Sequence, residues 1–238
     1  PAAGQLELAE MRAREEGVDP ELMQRMAGGK TGVVGILKRS EGPVAALRVD
    51  MDALEVTESA GPDHRPAQQG FASCHEGICH ACGHDVHTAV GLGVARILAE
   101  DQSWQGTVKL IFQPGEEGMR GARAMMERGI VDDVHDFFSL HVGIRALETG
   151  EIVTGCDGFL ATSKLDAVFH GATAHAGICP QEGKSALLAA AASCIGMQGI
   201  PRHGDGSSRI NIGGISAGGN SRQGVPDYGL AESETGGG

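Results

Sequence analysis

Aromatic and basic residues are both scarce in this sequence of 238 amino acids. One Trp, one Tyr and six Phe leave the core to be built mainly from Ala, Val, Leu and Ile. Nineteen Lys and Arg stand against 31 Asp and Glu, a net charge of −12, which argues against a nucleic-acid or anionic-membrane partner. The longest apolar stretch, residues 186–195, is far shorter than the roughly 18 residues of a membrane helix. We therefore expect a soluble, cytoplasmic protein.

Hydrophobic residues make up 41% of the sequence and glycine contributes 38 residues, which predicts a turn-rich globular protein of one or two domains. Its six cysteines do not suggest a disulfide framework. Three of them, Cys74, Cys79 and Cys82, lie among histidines, an arrangement typical of metal ligands in a reducing compartment.

Strand and helix patterns alternate in the first part of the chain. Residues 32–38 and 44–54 resemble adjacent strands, and residues 85–100 carry the apolar periodicity of a helix packed on a sheet. The short apolar runs 108–112 and 137–142 predict strands buried on both faces. This order indicates an α/β sheet, in which ligands bind beyond the carboxyl ends of strands.

The character of the chain changes after Gly158. Strand patterns at residues 163–169, 209–215 and 228–233 surround a helix pattern at 184–197, which gives the order β-α-β-β. That order is the beginning of a β-α-β-β-α-β unit. We therefore predict two domains, a metal-binding catalytic domain at residues 1–157 and a partial second domain at 158–238.

The densest chemical signal is the segment 74–87, in which seven of fourteen residues are Cys or His. Cys82 and His84 flank a glycine just before the predicted helix, and a thiolate and an imidazole at one point suit zinc or another divalent metal. The alternatives are a buried cysteine beside a surface histidine, or a redox pair of Cys79 and Cys82.

Two adjacent carboxylates, Glu116 and Glu117, follow the predicted strand that ends at Phe112. Neighbouring carboxylates repel each other unless a cation lies between them or one is protonated. Because consecutive side chains cannot bind in the same direction, we expect one to bind metal and the other to hold a proton from water. A solvated acidic turn is the alternative.

Three further candidates lie at predicted strand ends. His141 would share a sheet edge with the two glutamates if the strands are parallel, although a lone histidine there is more often a core residue. Asp50 and Asp52 are predicted to point to opposite faces of their strand. One of them could orient a ligand histidine, and Asp52 is included among the candidate catalytic residues; capping a turn is the alternative.

Four motifs in order, at residues 48–54, 80–85, 112–118 and 140–142, resemble the di-metal amidohydrolases and peptidases, the family that includes aminoacylase and hippurate hydrolase. Within it, residues 64–66, 70–73 and 162–177 are most similar to members that cleave p-aminobenzoyl-glutamate. The resemblance implies an α/β fold: a mostly parallel-sheet, metallopeptidase-like catalytic domain with an inserted ferredoxin-like satellite domain, both incomplete here.

The resemblance also implies a site with two divalent metal ions, Zn or Mn. Cys82 would bridge the ions, and His84, Glu117 and His141 would be further ligands. Glu116 would take a proton from a water activated by the metals and pass it to the departing amine. The substrate would be an N-acyl or N-aroyl amino acid such as p-aminobenzoyl-glutamate.

Further implied roles lie in the satellite domain, which in the family pairs two subunits into a homodimer. His175 would stabilise the oxyanion in the partner's site, and Arg222 could hold a substrate carboxylate. The family takes its last ligand histidine from beyond the satellite domain, so we expect the isolated chain to turn over weakly or not at all. The alternative to an enzyme is a non-catalytic metal-binding dimerisation module.

Overall fold

The chain folds as two units, Pro1–Ile152 and Val153–Gly238. The computed structural model describes residues 3–143, 145–217 and 228–237. Helices α1 to α5 of the first unit are Ala3–Glu15, Pro20–Arg25, Arg65–Gln68, His84–Glu100 and Gly121–Met126. Its strands β1 to β4 are Val33–Lys38, Val44–Asp50, Thr107–Gln113 and Asp136–Ser139.

The four strands of the first unit form one mixed sheet in the order β1-β3-β2-β4. Strand β2 is parallel to both β3 and β4, whereas β1 is antiparallel to β3. The predicted α/β class is thus confirmed. The expectation that the first two strands are adjacent is wrong, because β3 lies between them.

The carboxyl ends of the three parallel strands lie at one edge of the sheet and carry the candidate site. Strand β2 ends at Asp50, β3 at Gln113 and β4 at Ser139.

The prediction that residues 137–142 form a strand buried on both faces is wrong, since β4 ends at Ser139 and its four residues are exposed. An edge strand has a neighbouring strand on one side only, and an apolar run in the sequence does not distinguish it from a central strand.

Helix α4 covers one face of the sheet and begins at the candidate site. Its glycine Gly91 is buried, and a Cβ there would lie 2.9 Å from both Val49 and Phe112, so the helix backbone approaches the strands closely. Gly93, two residues later, has open space around it. The absence of a side chain at Gly91 therefore sets the distance between helix and sheet.

Gly91→Ala and Gly93→Ala should change stability in opposite directions. We expect Gly91→Ala to lower the free energy of unfolding by about 1–3 kcal/mol through overpacking. Gly93→Ala should raise it by up to about 1 kcal/mol because alanine is the better helix former. Denaturant unfolding of both variants measures the difference, and equal shifts would contradict this account of the packing.

The second unit contains a three-stranded antiparallel sheet and one helix. Strands β5 (Ala161–His170), β6 (Ser208–Ala217) and β7 (Tyr228–Gly237) pair in the order β5-β7-β6, and helix α6 (Ala186–Gln198) packs against them. These elements agree with the predicted β-α-β-β order. Within the part of the chain that the structure describes, none of the helices combines the length and the apolar character of a membrane span.

Candidate metal centre

The loop before helix α4 and the first residue of that helix place Cys82 and His84 at the end of the sheet. Gly83 between them has a φ of 89°, and a Cβ on it would come 2.6 Å from Val142 Cγ2. Only glycine accepts both the left-handed backbone and this contact without strain. Cys82 Sγ then lies 3.4 Å from Nε2 of His141, the residue that precedes Val142.

The imidazole of His84 is fully buried and has one nitrogen without a hydrogen-bond partner. Its Nδ1 lies 2.9 Å from the backbone oxygen of Asp52, and since a carbonyl only accepts, Nδ1 carries the hydrogen. In the neutral ring Nε2 then holds a lone pair, and no described residue donates to it. A buried acceptor of this kind is costly unless it binds a donor or a cation.

Two candidate carboxylates face that nitrogen. The distances from His84 Nε2 are 3.9 Å to Glu116 Oε2 and 3.8 Å to Glu117 Oε1. The lone pair on Nε2 and the anionic carboxylate oxygens do not stabilise one another at this separation. A divalent cation bound among them would stabilise all of them. The residues therefore fit the metal that the sequence motifs imply.

Asp52 holds the turn that carries the two glutamates. Its Oδ1 accepts the N–H of Glu116 at 3.0 Å and its Oδ2 accepts the N–H of Glu117 at 3.1 Å. The expectation that Asp50 and Asp52 point to opposite faces is wrong, because Asp50 Oδ1 and Asp52 Oδ1 lie 3.8 and 3.5 Å from the two nitrogens of His84. Residues two apart along an extended chain share a face.

The negative charges of the site change the pKa of a thiol beside them. Burial, followed by the charges of Glu117 and Glu116, raises the pKa of the Cys82 thiol to about 11. A bound cation would reverse this effect, because metal coordination favours the thiolate. All six cysteines are free, so the structure contains no Cys79–Cys82 disulfide.

His84 belongs to three groups whose ligand atoms lie within 4.8 Å of one another. One contains Cys82 and His141, a second contains Glu116 and Glu117, and a third contains Asp50 and His87. The predicted ligands thus converge on two neighbouring positions that share His84. Sulfur, nitrogen and oxygen donors together suit a borderline metal such as zinc.

The third group adds His87, which sequence reasoning did not select, to Asp50, which was considered as a residue that could orient a ligand histidine. Both are buried, His87 Nδ1 contacts Asp50 Oδ1, and Arg48 pairs with Asp50 Oδ2 at 2.7 Å. Burial alone would raise the pKa of Asp50, but the hydrogen bond from His87 and the charge of Arg48 together lower it. The spacing of three residues between His84 and His87 is the sequence signal that could have identified the second histidine.

The remaining predicted residues lie elsewhere in the chain. His175 is exposed in the second unit, where its Nδ1 accepts the N–H of Gly177 at 3.1 Å within a tight turn. Arg222 falls outside the described residues. The roles suggested for both therefore remain predictions.

Comparisons with known proteins place these motifs in a family. The model of Peptidase family M20/M25/M40 matches residues 46–226. The chain is 48% identical over 226 residues to one of the subunits of p-aminobenzoyl-glutamate hydrolase from Escherichia coli, in an alignment that covers 94% of this chain and 51% of that protein. It therefore spans about half the length of this curated relative.

Solved structures give the same result. The aminobenzoyl-glutamate utilization protein of Klebsiella pneumoniae aligns with 100% of this chain and 53% of its own, at 41% identity and a TM-score of 0.74. A dinuclear metal-binding peptidase of Bacillus subtilis aligns over 96% of this chain and 56% of its own, at 29% identity and a TM-score of 0.51. Because the family model matches most of the sequence, this chain belongs to Peptidase family M20/M25/M40.

Proposed function

We propose that the protein hydrolyses the amide bond of an N-acyl or N-aroyl amino acid, such as p-aminobenzoyl-glutamate, with two divalent metal ions, Zn or Mn. The observation that carries the proposal is the buried Nε2 of His84, which lacks a hydrogen-bond partner among the described residues and faces Glu116 and Glu117. Similarity to the p-aminobenzoyl-glutamate hydrolase of Escherichia coli supports the substrate class.

The residues that would hold the ions are Cys82, His84, Glu117 and His141. Bound divalent ions would lower the pKa of water and polarise the amide carbonyl. The Cys82 thiol would give up its proton on holding an ion, so ion binding should release a proton and strengthen as the pH rises.

Glu116 is proposed as the general base. Its side chain is 41% exposed against 30% for Glu117, so it is the more accessible of the two to substrate. Its carboxylate would accept a proton from the attacking water and then donate it to the amine nitrogen as the amide bond breaks. The hydrogen bond from its backbone N–H to Asp52 would hold the turn that carries this side chain during both transfers.

Metal analysis combined with a hydrolysis assay tests the proposal. The purified protein is measured with and without prior chelation on p-aminobenzoyl-glutamate, hippurate and an indoleacetyl amino acid. We expect up to two ions per chain, and we expect any turnover of the isolated chain to be weak, lost on chelation, restored by metal and selective within this panel. Hydrolysis that survives complete removal of metal would contradict the mechanism.

We further propose that the second unit is the satellite domain of the family and that it pairs two subunits. Helix α6 contains no charged residue, and its outward residues Leu188 and Ile195 are 69% and 76% exposed. They lie seven residues apart, two turns along one side of the helix, where a partner can cover both. The role of His175 at the partner's oxyanion depends on this pairing.

Charged residues on this helix face should weaken self-association. We expect Leu188→Glu combined with Ile195→Glu to raise the dimer dissociation constant about tenfold or more, because apolar contacts at the centre of an interface dominate its energy. Sedimentation equilibrium measures the change, with Gln198→Glu at the end of the helix as the control. An unchanged association state would show that this face is not the interface.

A further inference from the structure

A buried chain of hydrogen bonds behind the candidate metal centre connects strand β2, helix α4 and the segment that follows β4. Arg48 pairs with Asp50 at 2.7 Å, Asp50 binds Nδ1 of His87, and Nε2 of His87 lies 2.9 Å from the backbone nitrogen of Val142. Asp50 and His87 are 1% and 0% exposed. The connection is therefore shielded from water along its central part.

These contacts fix the hydrogen position on His87. The backbone N–H of Val142 can only donate, so Nε2 of His87 accepts and the neutral ring carries its hydrogen on Nδ1. That hydrogen is donated to the Asp50 carboxylate. Since both nitrogens are engaged with the protein, His87 is not available as a metal ligand, although its ring lies beside Asp50 and His84.

The segment that His87 holds lies beyond the end of the sheet ladder. Pairing between β2 and β4 ends at Arg48 and Ser139, so the ladder does not extend to His141. His141 is exposed and cannot be fixed by burial. Its neighbour Val142 is held by His87 and by close packing against Gly83.

Val142 therefore links the two sides of the Cys82–His141 pair. It packs on Gly83, which follows Cys82, and it directly follows His141. The ring of His141 also packs edge-on against His87, with the ring centres 4.6 Å apart. A displacement of Val142 would carry His141 away from the Cys82 sulfur, which is now 3.4 Å from its Nε2.

From this geometry we propose that His87 is a positioning residue. By accepting the Val142 N–H, it holds His141 at coordinating distance from Cys82, and Asp50 and Arg48 keep its ring in the tautomer that can accept. This inference rests on the proposed function for its effect on metal binding.

Two variants separate the two hydrogen bonds of His87. In His87→Asn the amide nitrogen replaces Nδ1 and can still donate to Asp50, but nothing reaches the Val142 N–H. In His87→Gln the amide oxygen replaces Nε2 and can still accept from Val142. The readouts are hydrogen exchange of residues 140–143 in the metal-free chain and the apparent affinity for Zn²⁺ in competition with a chelator.

We expect His87→Asn to lose exchange protection at residues 140–143 and about 10- to 100-fold in Zn²⁺ affinity, the usual effect of removing a residue that orients a ligand. His87→Gln should keep both the exchange protection and the Zn²⁺ affinity near the wild-type values. Protection that persists in His87→Asn, or an affinity unchanged despite lost protection, would overturn the proposal. Equal losses in both variants, with equally lowered melting temperatures, would overturn it too and indicate a role in folding alone.

The same experiment separates this inference from the proposed function. If the wild-type chain binds no Zn²⁺ but the two variants still differ in exchange protection, positioning by His87 stands and the proposed metal site fails. If the wild-type chain binds Zn²⁺ and both variants match it in both readouts, the metal site stands and the role of His87 is refuted.

Discussion

Replacing Glu116 by Gln should reduce hydrolysis by about 10²- to 10⁴-fold, the range contributed by a positioned general base, while ion binding stays near the wild-type level. The amide is close in size to the carboxylate but accepts no proton at neutral pH. The backbone N–H of residue 116 still donates to Asp52, so the turn that carries the two adjacent residues should keep its shape. The measurement is kcat on p-aminobenzoyl-glutamate beside metal content by elemental analysis.

Glu117→Gln provides the contrast, because the neighbouring carboxylate is the proposed ligand. We expect this variant to lose bound metal as well as activity, whereas Glu116→Gln loses activity alone. Glu100→Gln, at the exposed far end of helix α4, is the matched control for charge. If Glu116→Gln lost the metal and Glu117→Gln kept it, the two roles would have to be exchanged.

Asp52→Ala should damage the site and the fold together. The carboxylate accepts two backbone N–H groups, and hydrogen bonds to a charged group contribute about 1.5–3 kcal/mol each. Because the side chain is partly exposed and water can replace part of this interaction, we expect the free energy of unfolding to fall by about 1.5–3 kcal/mol in all. Zn²⁺ affinity should fall about 10- to 100-fold as Glu117 loses its fixed position.

Asp52→Asn tests whether charge or shape matters, since it keeps one acceptor oxygen and places an amide NH₂ against the other N–H. We expect an intermediate loss in both stability and affinity. Asp63→Ala, at an exposed position in the loop before α3, is the control. Wild-type stability and affinity in Asp52→Ala would show that the turn holds itself without this carboxylate.

The sequence predicted the convergence of Cys82, His84, Glu117 and His141 because its motifs follow strands whose carboxyl ends share an edge. Parallel pairing of β2 with β3 and β4 places the glutamate turn and His141 on the same side as the start of α4. Local patterns were sufficient for this, since each motif lies within a few residues of a strand or helix end. The likeness to a known family then assigned separate roles to two adjacent glutamates.

The buried network behind the site was not predicted. A histidine three residues into a helix is equally compatible with solvent exposure, so its spacing from His84 did not show that His87 is buried. Asp50 was considered as a residue that could orient a ligand histidine, but its partner was not identified. The Asp52 contacts to two backbone N–H groups join residues more than sixty positions apart. Neither propensity nor periodicity specifies which distant backbone group a side chain will reach.

The pairing of β1 also escaped prediction. A short connection between two strands suggests that they are neighbours in the sheet, but here a later strand, β3, lies between β1 and β2. Strands β1 and β2 are made first, but each pairs with β3, which follows more than fifty residues after β2 ends. At about 5–20 residues per second during synthesis, both strands would wait several seconds on the ribosome with unsatisfied edges. The nascent segment that contains β1 and β2 is therefore where chaperone capture and off-pathway association should concentrate, before residues 107–113 emerge and close the sheet.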